Sequence, residues 1–526
     1  MENKISVSED GHSFIYWIFF HLWNEISKFA KNHRSKFVVV SAITLLVLYI
    51  LRAMVHPLVL TLRIYSFDFA LVAFALYGVW RVHKRTMSKW AYVAAMVLSA
   101  LIVLPHDYIA LYLRQVYLDK EAISDYMETV HDRIQPLNSI RSSINKQHMS
   151  KNEQANEPYF IRGATGDYRW TTGIEPLNGI QSFVGGVNEV VSVSATDPSP
   201  DYSKDSSIAV SFPVGEFLHF GKNSKVCAIR SFGILRFFSY EPADVKYVEE
   251  GKGKFVQVIS LTKWDGFVWP QPVFGGVQII RQSDGGFFHF IETVLWGDGE
   301  WIAPENIGKY PFLKGQNLVP FKVSRYIAKS FSFYQGMLNN IPGVNTNGAV
   351  RIPDLPGDAN DQPFVTCFRQ ENGEEKSFHY FGMVPSQADG QSLSLFVPGD
   401  GLGPVKVYDN NLNHDSMIGV SAINAKTGDR HIDWTHTRPA EHRPYIKTIL
   451  GKKRFMWLTT LVTTNKNIAD ILSKNAAESE GEDFQAGGLP TVVLTEPHRS
   501  SPILMKSLDA DTWPAQAEKE FQQYWK

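Results

Sequence analysis

The chain has 526 residues, a formal net charge of -1 and 44% hydrophobic residues. This length predicts two or more domains, and the balance of 52 basic against 53 acidic side chains excludes a general electrostatic attraction to nucleic acid. The only cysteines, Cys227 and Cys367, exclude a disulfide framework and a cysteine-based zinc site. We expect two buried free thiols, although their spacing leaves a single bridge between them open.

Three hydrophobic segments near the N-terminus predict three transmembrane helices. Residues 37–51 and 90–105 contain no charged side chain, and residues 64–80 contain only Asp68. Apolar side chains cover every face of these segments, whereas a helix on the surface of a soluble domain would show a polar stripe. We therefore expect residues 37–106 to form a membrane anchor.

Basic residues in the short loops predict the orientation of this anchor. Eight Lys and Arg residues lie at residues 28–36, just before the first segment, and at 81–89, between the second and third, against four in the other two short stretches. The tail at residues 1–36, with an aromatic interfacial stretch at 13–23, is therefore expected in the cytoplasm, and three crossings would export the rest of the chain. No asparagine begins an Asn-x-Ser/Thr site, which favours a bacterial inner membrane and a periplasmic C-terminal part.

The exported part is expected to begin with a helical stalk and linker at residues 107–157, where apolar side chains recur at helical spacing. Alternating apolar residues between turn residues then predict short strands in two mainly-β, sandwich-like lobes, at 158–341 and 364–526. The first lobe ends in a helix, a Pro- and Gly-rich linker at 342–363 separates the lobes, and a capped helix closes the second. The predicted fold class is a membrane protein of the α + β class.

The stretch GDRHIDWTHTRPAEHRPYI, residues 428–446, is rich in side chains that bind zinc or transfer protons. Four of them could form an extracytoplasmic metal-dependent hydrolase centre: His431, Asp433, His436 and His442. A regular strand, however, would turn His436 away from the first two residues. Pro439 and Pro444 also exclude a helix that could carry a His-Glu-x-x-His arrangement.

The same stretch also fits a structural loop. Arg438 and Arg443 would pair with Asp433 and Glu441, and the histidines would hydrogen-bond to backbone carbonyl groups. We favour this interpretation because a catalytic zinc site needs three converging ligands and an open position, which this spacing does not supply. No cofactor or tightly bound metal is expected.

A second cluster, residues 409–415, could bind calcium, because oxygen-bearing side chains occupy alternate positions: Asp409, Asn411, Asn413 and Asp415. Two departures from a calcium loop count against this idea. His414 occupies the position of the turn glycine, and Val420 occupies that of the closing glutamate. A hairpin turn explains the same residues, since Asn and Asp tolerate positive φ angles.

The chain contains no Gly-x-Ser-x-Gly elbow, phosphate-binding loop, dinucleotide fingerprint or His-Glu-x-x-His sequence. We therefore expect a non-enzymatic, membrane-anchored scaffold or assembly subunit of a bacterial cell-envelope complex, a homo- or hetero-oligomer whose β-rich lobes contact other envelope proteins. Its partners would be those proteins and membrane lipid, and no nucleic acid. The alternatives are the metal-dependent hydrolase and a membrane-anchored sensor that binds a small ligand or glycan.

Overall fold

The computed structural model describes residues 34–84, 88–90, 92–94, 96–97, 106–130, 135–149, 152–177, 179–197, 207–283, 286–341, 346, 348–354, 362–388, 390–419, 437–463, 491–498, 502–507 and 513–525. The chain divides into two compact units, a first unit of residues 1–57 and a second unit of residues 58–526. In the described ranges the α-helices are α1 Arg34–Ile50, α2 Arg52–Ile64, α3 Ser66–His83, α4 His106–Tyr117, α5 Leu137–Met149, α6 Gln181–Val184, α7 Ser224–Ser231, α8 Ile234–Phe237, α9 Phe287–Trp296, α10 Phe321–Ser330 and α11 Trp513–Trp525.

The prediction of three transmembrane helices is wrong: among the described residues, no single helix is both long and apolar enough to cross a membrane. The first predicted segment forms α1, which has 17 residues. At 1.5 Å per residue it is roughly 26 Å long, short of the roughly 30 Å of a hydrocarbon core. Most of the third predicted segment, residues 90–105, lies outside the described residues.

The second predicted segment corresponds to α3, which follows α2 after a sharp bend. Together α2 and α3 have the length and composition of a membrane span, but their axes differ by 65°. The prediction treated the residues of α2 as a loop, because Arg52 and Arg63 interrupt the apolar run. Asp68, at the start of α3, lies 3.0 Å from Nδ1 of His106 at the start of α4. A polar contact thus joins α3 to α4 within the second unit.

Within the first unit, the described residues comprise α1 and the first turns of α2. Apolar side chains of α1 are exposed, among them Val38 and Ile43. At the junction of the two helices, the Arg52 guanidinium lies 3.9 Å from the ring centre of Tyr49 and donates a hydrogen bond of 2.6 Å to its carbonyl oxygen. This contact caps the C-terminal end of α1, where carbonyl groups have no partner in the helix.

The second unit is mostly β-sheet, with several sheets and some helices. Its described strands are β1 Lys120–Ala122, β2 Glu128–Thr129, β3 Glu153–Ala155, β4 Tyr159–Arg162, β5 Tyr168–Pro176, β6 Val187–Ser194, β7 Ser207–Phe212, β8 Tyr240–Gly251, β9 Lys254–Asp265, β10 Gln271–Ile280, β11 Glu300–Ile302, β12 Val350–Arg351, β13 Phe364–Arg369, β14 Glu375–Pro385, β15 Gly390–Gln391, β16 Leu393–Pro398, β17 Val405–Asp409, β18 Met417–Ile418, β19 Thr437–Ile449, β20 Lys452–Thr463, β21 Thr491–Thr495 and β22 Pro502–Ser507.

A seven-stranded sheet, in the order β1-β17-β16-β14-β13-β2 with β12 beside β14, forms the centre of the second unit. All six residues of β16, which reads LSLFVP, are buried. Because side chains alternate across a strand, Phe378 and Tyr380 of β14 belong to an aromatic core that includes Trp457. Phe381 and Met383 face the other way, into a core that includes α10. Both faces of this sheet are therefore covered.

The prediction of a helical stalk at residues 107–157 is also wrong. After α4, the chain supplies β1 and β2 to opposite edges of the seven-stranded sheet. β1 pairs in parallel with β17, with Lys120 opposite Val405. α5 then places Ile140 and Ile144 in a core with Trp170. The predicted stalk is part of the second unit because its partners come from distant parts of the chain.

The remaining larger sheets surround this centre. They have the orders β3-β5-β6-β7 with β4 beside β5, β11-β10-β9-β8, and β19-β20-β21-β22. Val365 and Cys367 of β13 share a core with β5 and β6, while Phe455 of β20 joins the aromatic core. Both predicted lobes thus contribute to one compact unit. Cys227 and Cys367 are buried free thiols.

Candidate functional site

The histidine-rich stretch at residues 428–446 is only partly described. His431, Asp433 and His436 lie outside the described residues, and only the backbone of Arg438 is described. The second half of the stretch forms β19 and pairs with β20. The hydrolase centre and the pairing of Arg438 with Asp433 therefore stay predictions.

His442, the fourth residue of the predicted hydrolase centre, is buried between strands. Its relative exposure is 0%, and its Nδ1 lies 2.8 Å from the hydroxyl oxygen of Thr459 on β20. Burial lowers the pKa of His442 to about 3, because a charged imidazole is disfavoured away from water. A neutral ring that hydrogen-bonds across two strands contributes to the pairing of β19 with β20.

Glu441 occupies a bulge in β19, with a φ angle of 55° and a shift in strand register. Its Oε1 accepts a hydrogen bond of 2.8 Å from the backbone N–H of Leu137, and its Oε2 lies 3.6 Å from Nε of Arg443. Arg443 is 2% exposed and donates a hydrogen bond of 2.8 Å to the Thr460 hydroxyl. These contacts tie β19 to the start of α5.

Residues 409–415 form the turn after β17. Asp409 Oδ1 accepts a hydrogen bond of 3.0 Å from the backbone N–H of Asn411, and the Asn413 side chain donates one of 2.8 Å to the Asp409 carbonyl. His414 has a φ angle of 53°. No group of three or more His, Cys, Asp or Glu side chains that could hold a metal occurs in the described part of the chain. Calcium binding at this turn stays a prediction.

Asp415 joins a separate ionic cluster with His498. Asp415 Oδ1 lies 2.6 Å from Nε2 of His498, and Glu496 Oε1 lies 2.9 Å from Nδ1 of the same ring. The hydrogen bond to Asp415 is the largest cause of a raised His498 pKa, and the bond to Glu496 also raises it. A protonated His498 therefore links the 409–415 turn to the end of β21.

A cavity of about 350 Å³ opens between α5, α10, β4, β5, β8, β13 and β19, and Glu441 borders it. We call it the polar cavity. Charged and amide side chains line one part of it: Arg141, Glu157, Asp244, Asn317, Arg325 and Gln362. Aromatic side chains line the other part: Tyr159, Phe160, Trp170, Phe321 and Phe364. Its volume falls in the range of about 300–1,000 Å³ that small-molecule sites occupy.

A buried network supports the floor of the polar cavity. Lys246 Nζ donates a hydrogen bond of 2.7 Å to the Asn317 carbonyl and lies 3.5 Å from Asp244 Oδ2. Asn317 Oδ1 lies 2.5 Å from Nε2 of His379. Burial, and secondarily the charge of Lys246, lowers the pKa of His379 to about 3, so its neutral ring donates to the amide oxygen. Burial also lowers the pKa of Lys246.

The rim of the polar cavity is partly open to solvent. Arg141 and Glu157 form an ion pair there, with 42% and 29% of their side chains exposed. Burial raises the pKa of Glu157, although Arg141 opposes the shift. Burial, followed by the nearby charge of Asp244, raises the pKa of Tyr159 well above its ordinary value. The Tyr159 hydroxyl therefore stays protonated, and its hydrogen bond with Asp244 contributes to the shift.

α10 presents an aromatic ring and a guanidinium group one turn apart. Phe321 is 38% exposed, and its ring meets that of His379 edge-on at 5.1 Å between centres. Arg325 Nε donates a hydrogen bond of 2.6 Å to the Gln362 carbonyl. Positions i and i+4 share one face of a helix, so both side chains border the same cavity.

The polar cavity has the components of a binding site. Its described lining includes no serine, cysteine or histidine, so a Ser-His or Cys-His pair does not occur among these residues. His289 lines a second cavity of about 220 Å³ with Ser283. Ser283 Oγ and Asp298 Oδ2 each lie 3.5 Å from the same nitrogen of His289, Nε2. A nucleophile–base–acid relay uses the two ring nitrogens separately, so these three residues do not form one.

The sequence reasoning named Glu441 but no other residue of the polar cavity. Asp244 gave no distinct signal, because β8 also carries Glu241, Lys246, Glu249 and Glu250. Arg325 could not be recognised as a cavity residue from the sequence, because a charged side chain on an amphipathic helix is common.

No protein-family model matches the chain, and no curated protein matches it. Among solved structures, the chain has a distant similarity to a protein of unknown function from Dyadobacter fermentans DSM 18053. The two are 9% identical, the similarity covers 73% of this chain and 88% of that chain, and the TM-score is 0.19. A similarity at this level carries no argument about fold or function.

Proposed function

We propose that this chain is a non-enzymatic assembly subunit of a bacterial cell-envelope complex that works through contacts with other proteins. The supporting observation is the surface of α3, an 18-residue helix. Seven of its large apolar side chains are exposed: Phe69, Val72, Phe74, Leu76, Tyr77, Val79 and Trp80. Apolar surface of this extent is unfavourable in water, at about 25 cal/mol per Å², so a partner that covers it would gain binding energy.

Two contacts attach α3 and the preceding end of α2 to other parts of the second unit. One is the pair of Asp68 with His106. The other involves Arg63, which donates a hydrogen bond of 2.6 Å to the carbonyl of Gly266 in the turn between β9 and β10. The next residue, Phe267, is 70% exposed. The turn that receives the Arg63 hydrogen bond therefore also exposes an apolar ring, which a partner bound near the end of α2 could cover.

We also propose that the protein works at the bacterial inner membrane, with α3 in contact with lipid as well as with partner subunits. Tyr77 and Trp80 lie near one end of the helix, followed by Arg81 and Lys84. Aromatic and basic residues are favoured at the boundary between lipid and water. The periplasmic position expected for the C-terminal part depended on three crossings, and it is withdrawn with them.

Native purification of the full chain from membranes, with identification of the co-purifying subunits, tests the assembly role. We expect a complex of defined composition. The double change Phe74→Ser and Leu76→Ser should weaken it at least about tenfold, because each buried apolar anchor in an interface contributes roughly 1 kcal/mol or more. Leu412→Ser is the matched control, since Leu412 is an exposed apolar residue in a turn.

The proposal fails if the wild-type chain purifies alone from membranes. It also fails if the double variant, folded as judged by circular dichroism, retains the full complex.

A further inference from the structure

We propose that the polar cavity binds a neutral carbohydrate of one or two sugar rings. This inference is independent of the assembly role, because none of the residues that line the cavity belongs to α3. It rests on three features of the cavity: a rigid polar floor, charges that are already paired, and aromatic walls.

The floor of the polar cavity is buried and held in place by hydrogen bonds. Asn317 and Gln362 are each 2% exposed. Gln362 Oε1 accepts a hydrogen bond of 2.9 Å from the backbone N–H of Gly382, and Asn317 is held through its carbonyl and its Oδ1. The side-chain amide N–H₂ of Asn317 has no hydrogen-bond partner among the described residues. Fixed groups of this kind lose little conformational entropy when a ligand binds.

Each acidic side chain of the polar cavity has a basic partner. Glu157 pairs with Arg141, Asp244 lies 3.5 Å from Lys246, and Glu441 lies 3.6 Å from Arg443. Beside each of these three pairs an ion of either sign would meet a like charge next to the opposite one, and the Arg325 guanidinium already donates to the Gln362 carbonyl. Hydroxyl groups suit this arrangement because each one donates and accepts, and hydrogen bonds to ionised side chains are strong.

Aromatic rings form the apolar part of the cavity. Trp170 is 3% exposed and lies deep, whereas Phe321 lies at the mouth. Sugar rings combine hydroxyl groups at their edges with C–H groups on their faces, and C–H groups make favourable contacts with aromatic faces. A volume of about 350 Å³ holds roughly one or two such rings, as expected for a small-molecule site.

Saturation-transfer NMR on the full chain tests this inference. The chain is purified in a zwitterionic detergent without a sugar headgroup, since a maltoside headgroup would itself compete. The neutral probes are glucose, galactose, mannose, N-acetylglucosamine and their homodisaccharides, and the charged probes are glucuronic acid and glucosamine. We expect saturation transfer to at least one neutral probe and none to the charged probes.

Two cavity variants and two controls locate the binding. Phe321→Ala removes the aromatic ring at the mouth, and Arg325→Gln removes the guanidinium one turn away. Each change should lower the affinity for the probe about tenfold. Phe288→Ala and Arg281→Gln change exposed residues elsewhere and should leave binding unchanged. Absence of transfer to every neutral probe overturns the inference, as does transfer to the charged probes only. Unchanged binding in both cavity variants, with their folding verified by thermal melting, overturns it too.

Discussion

At the scale of single residues, Arg443 has a larger expected role than its neighbour His442. Arg443→Ala should lower the free energy of unfolding by about 3–5 kcal/mol, because the carboxylate of Glu441 would stay buried after losing a basic partner. His442→Asn should cost about 1–3 kcal/mol, since it disturbs one hydrogen bond of a neutral side chain. Urea unfolding of both variants, followed by circular dichroism, measures the two losses.

An exposed ion pair supplies the control for Arg443. Arg281 and Glu300 lie 2.9 Å apart, and about half of each side chain is exposed. Arg281→Ala should change the free energy of unfolding by about 0–1 kcal/mol, because water screens surface pairs. A loss in Arg443→Ala no larger than that in His442→Asn would contradict the prediction.

His498 is expected to make stability depend on pH. Its pKa is raised in the folded protein by Asp415 and Glu496. A raised pKa means that the folded state binds the proton more tightly than the unfolded state. The stabilisation is therefore complete below the unfolded pKa of about 6.5 and is lost as pH rises through the folded pKa. We expect the difference in melting temperature between wild type and His498→Gln to be largest near pH 5.5 and to vanish at high pH.

The melting temperature of wild type must be compared with that of His498→Gln, because other histidines change stability with pH in the opposite direction. His379 and His442 have pKa values lowered to about 3. Their stabilisation is present above about pH 6.5 and declines as pH falls towards 3. Subtracting the melting curve of His498→Gln from that of wild type removes this common part. A difference that stays constant from pH 5.5 to 9 would contradict the role of His498.

At the scale of elements, the local sequence pattern predicted β-strands better than it predicted transmembrane helices. The apolar, β-branched segment KFVQVISLTKW predicts a strand, and these residues lie within β9. Residues 255–262 are all buried, as expected for a strand that is covered on both faces. The apolar stretches at 37–51 and 64–80 also carried a strong pattern, but an apolar helix needs sufficient length as well as composition to cross a membrane. The short lengths of α1 and α3 decided that outcome.

The bulge in β10 provides a prediction at this scale. Gly276 has a φ angle of +83°, and a Cβ added to it would lie 2.1 Å from the Ile302 carbonyl oxygen. Gly276→Ala should therefore destabilise the protein by about 2–5 kcal/mol, through a left-handed backbone and a steric clash. Thermal unfolding measures the loss.

Gly253 is the matched control for Gly276. Its φ angle is +74°, but a Cβ there would meet nothing within 4 Å. Gly253→Ala should cost only the backbone strain, about 1–2 kcal/mol. Equal losses in the two variants would show that the contact with Ile302 is unimportant.

At the scale of the whole molecule, residues 106–157 are expected to be required for folding. They supply β1 and β2 to the edges of the seven-stranded sheet and α5 to the core around Trp170. A protein that begins at residue 158 would expose strand edges and apolar side chains, so we expect it to aggregate or to lose cooperative unfolding. A protein that begins at residue 106 should unfold cooperatively. Size-exclusion chromatography and calorimetry compare the two, and a well-folded 158–526 fragment would show that the predicted stalk is dispensable.

The polar cavity illustrates why most residues of the candidate site could not be predicted from the sequence. Its residues come from seven elements spread between α5 and β19, and no two of its basic residues are neighbours in the chain. Glu441 and Arg443 stood out because they are close together in a stretch rich in charge. Local spacing, however, does not show which distant strand will cover a residue. Burial by that strand determines whether a charged side chain is paired, has a shifted pKa or stays in contact with water.

The sequence by itself determined the β-rich character of the second unit, the balance of basic and acidic side chains, and the position of many strands. Each of these depends on composition or on a periodicity of two residues, which a short window of sequence contains. The tertiary structure decided that residues 107–157 join the sheets, that His442 is a buried neutral ring, and that Lys246, Asn317 and His379 form one network under a cavity. These features depend on contacts between residues far apart in the chain, and the free energy of such contacts comes from burial that no local pattern records.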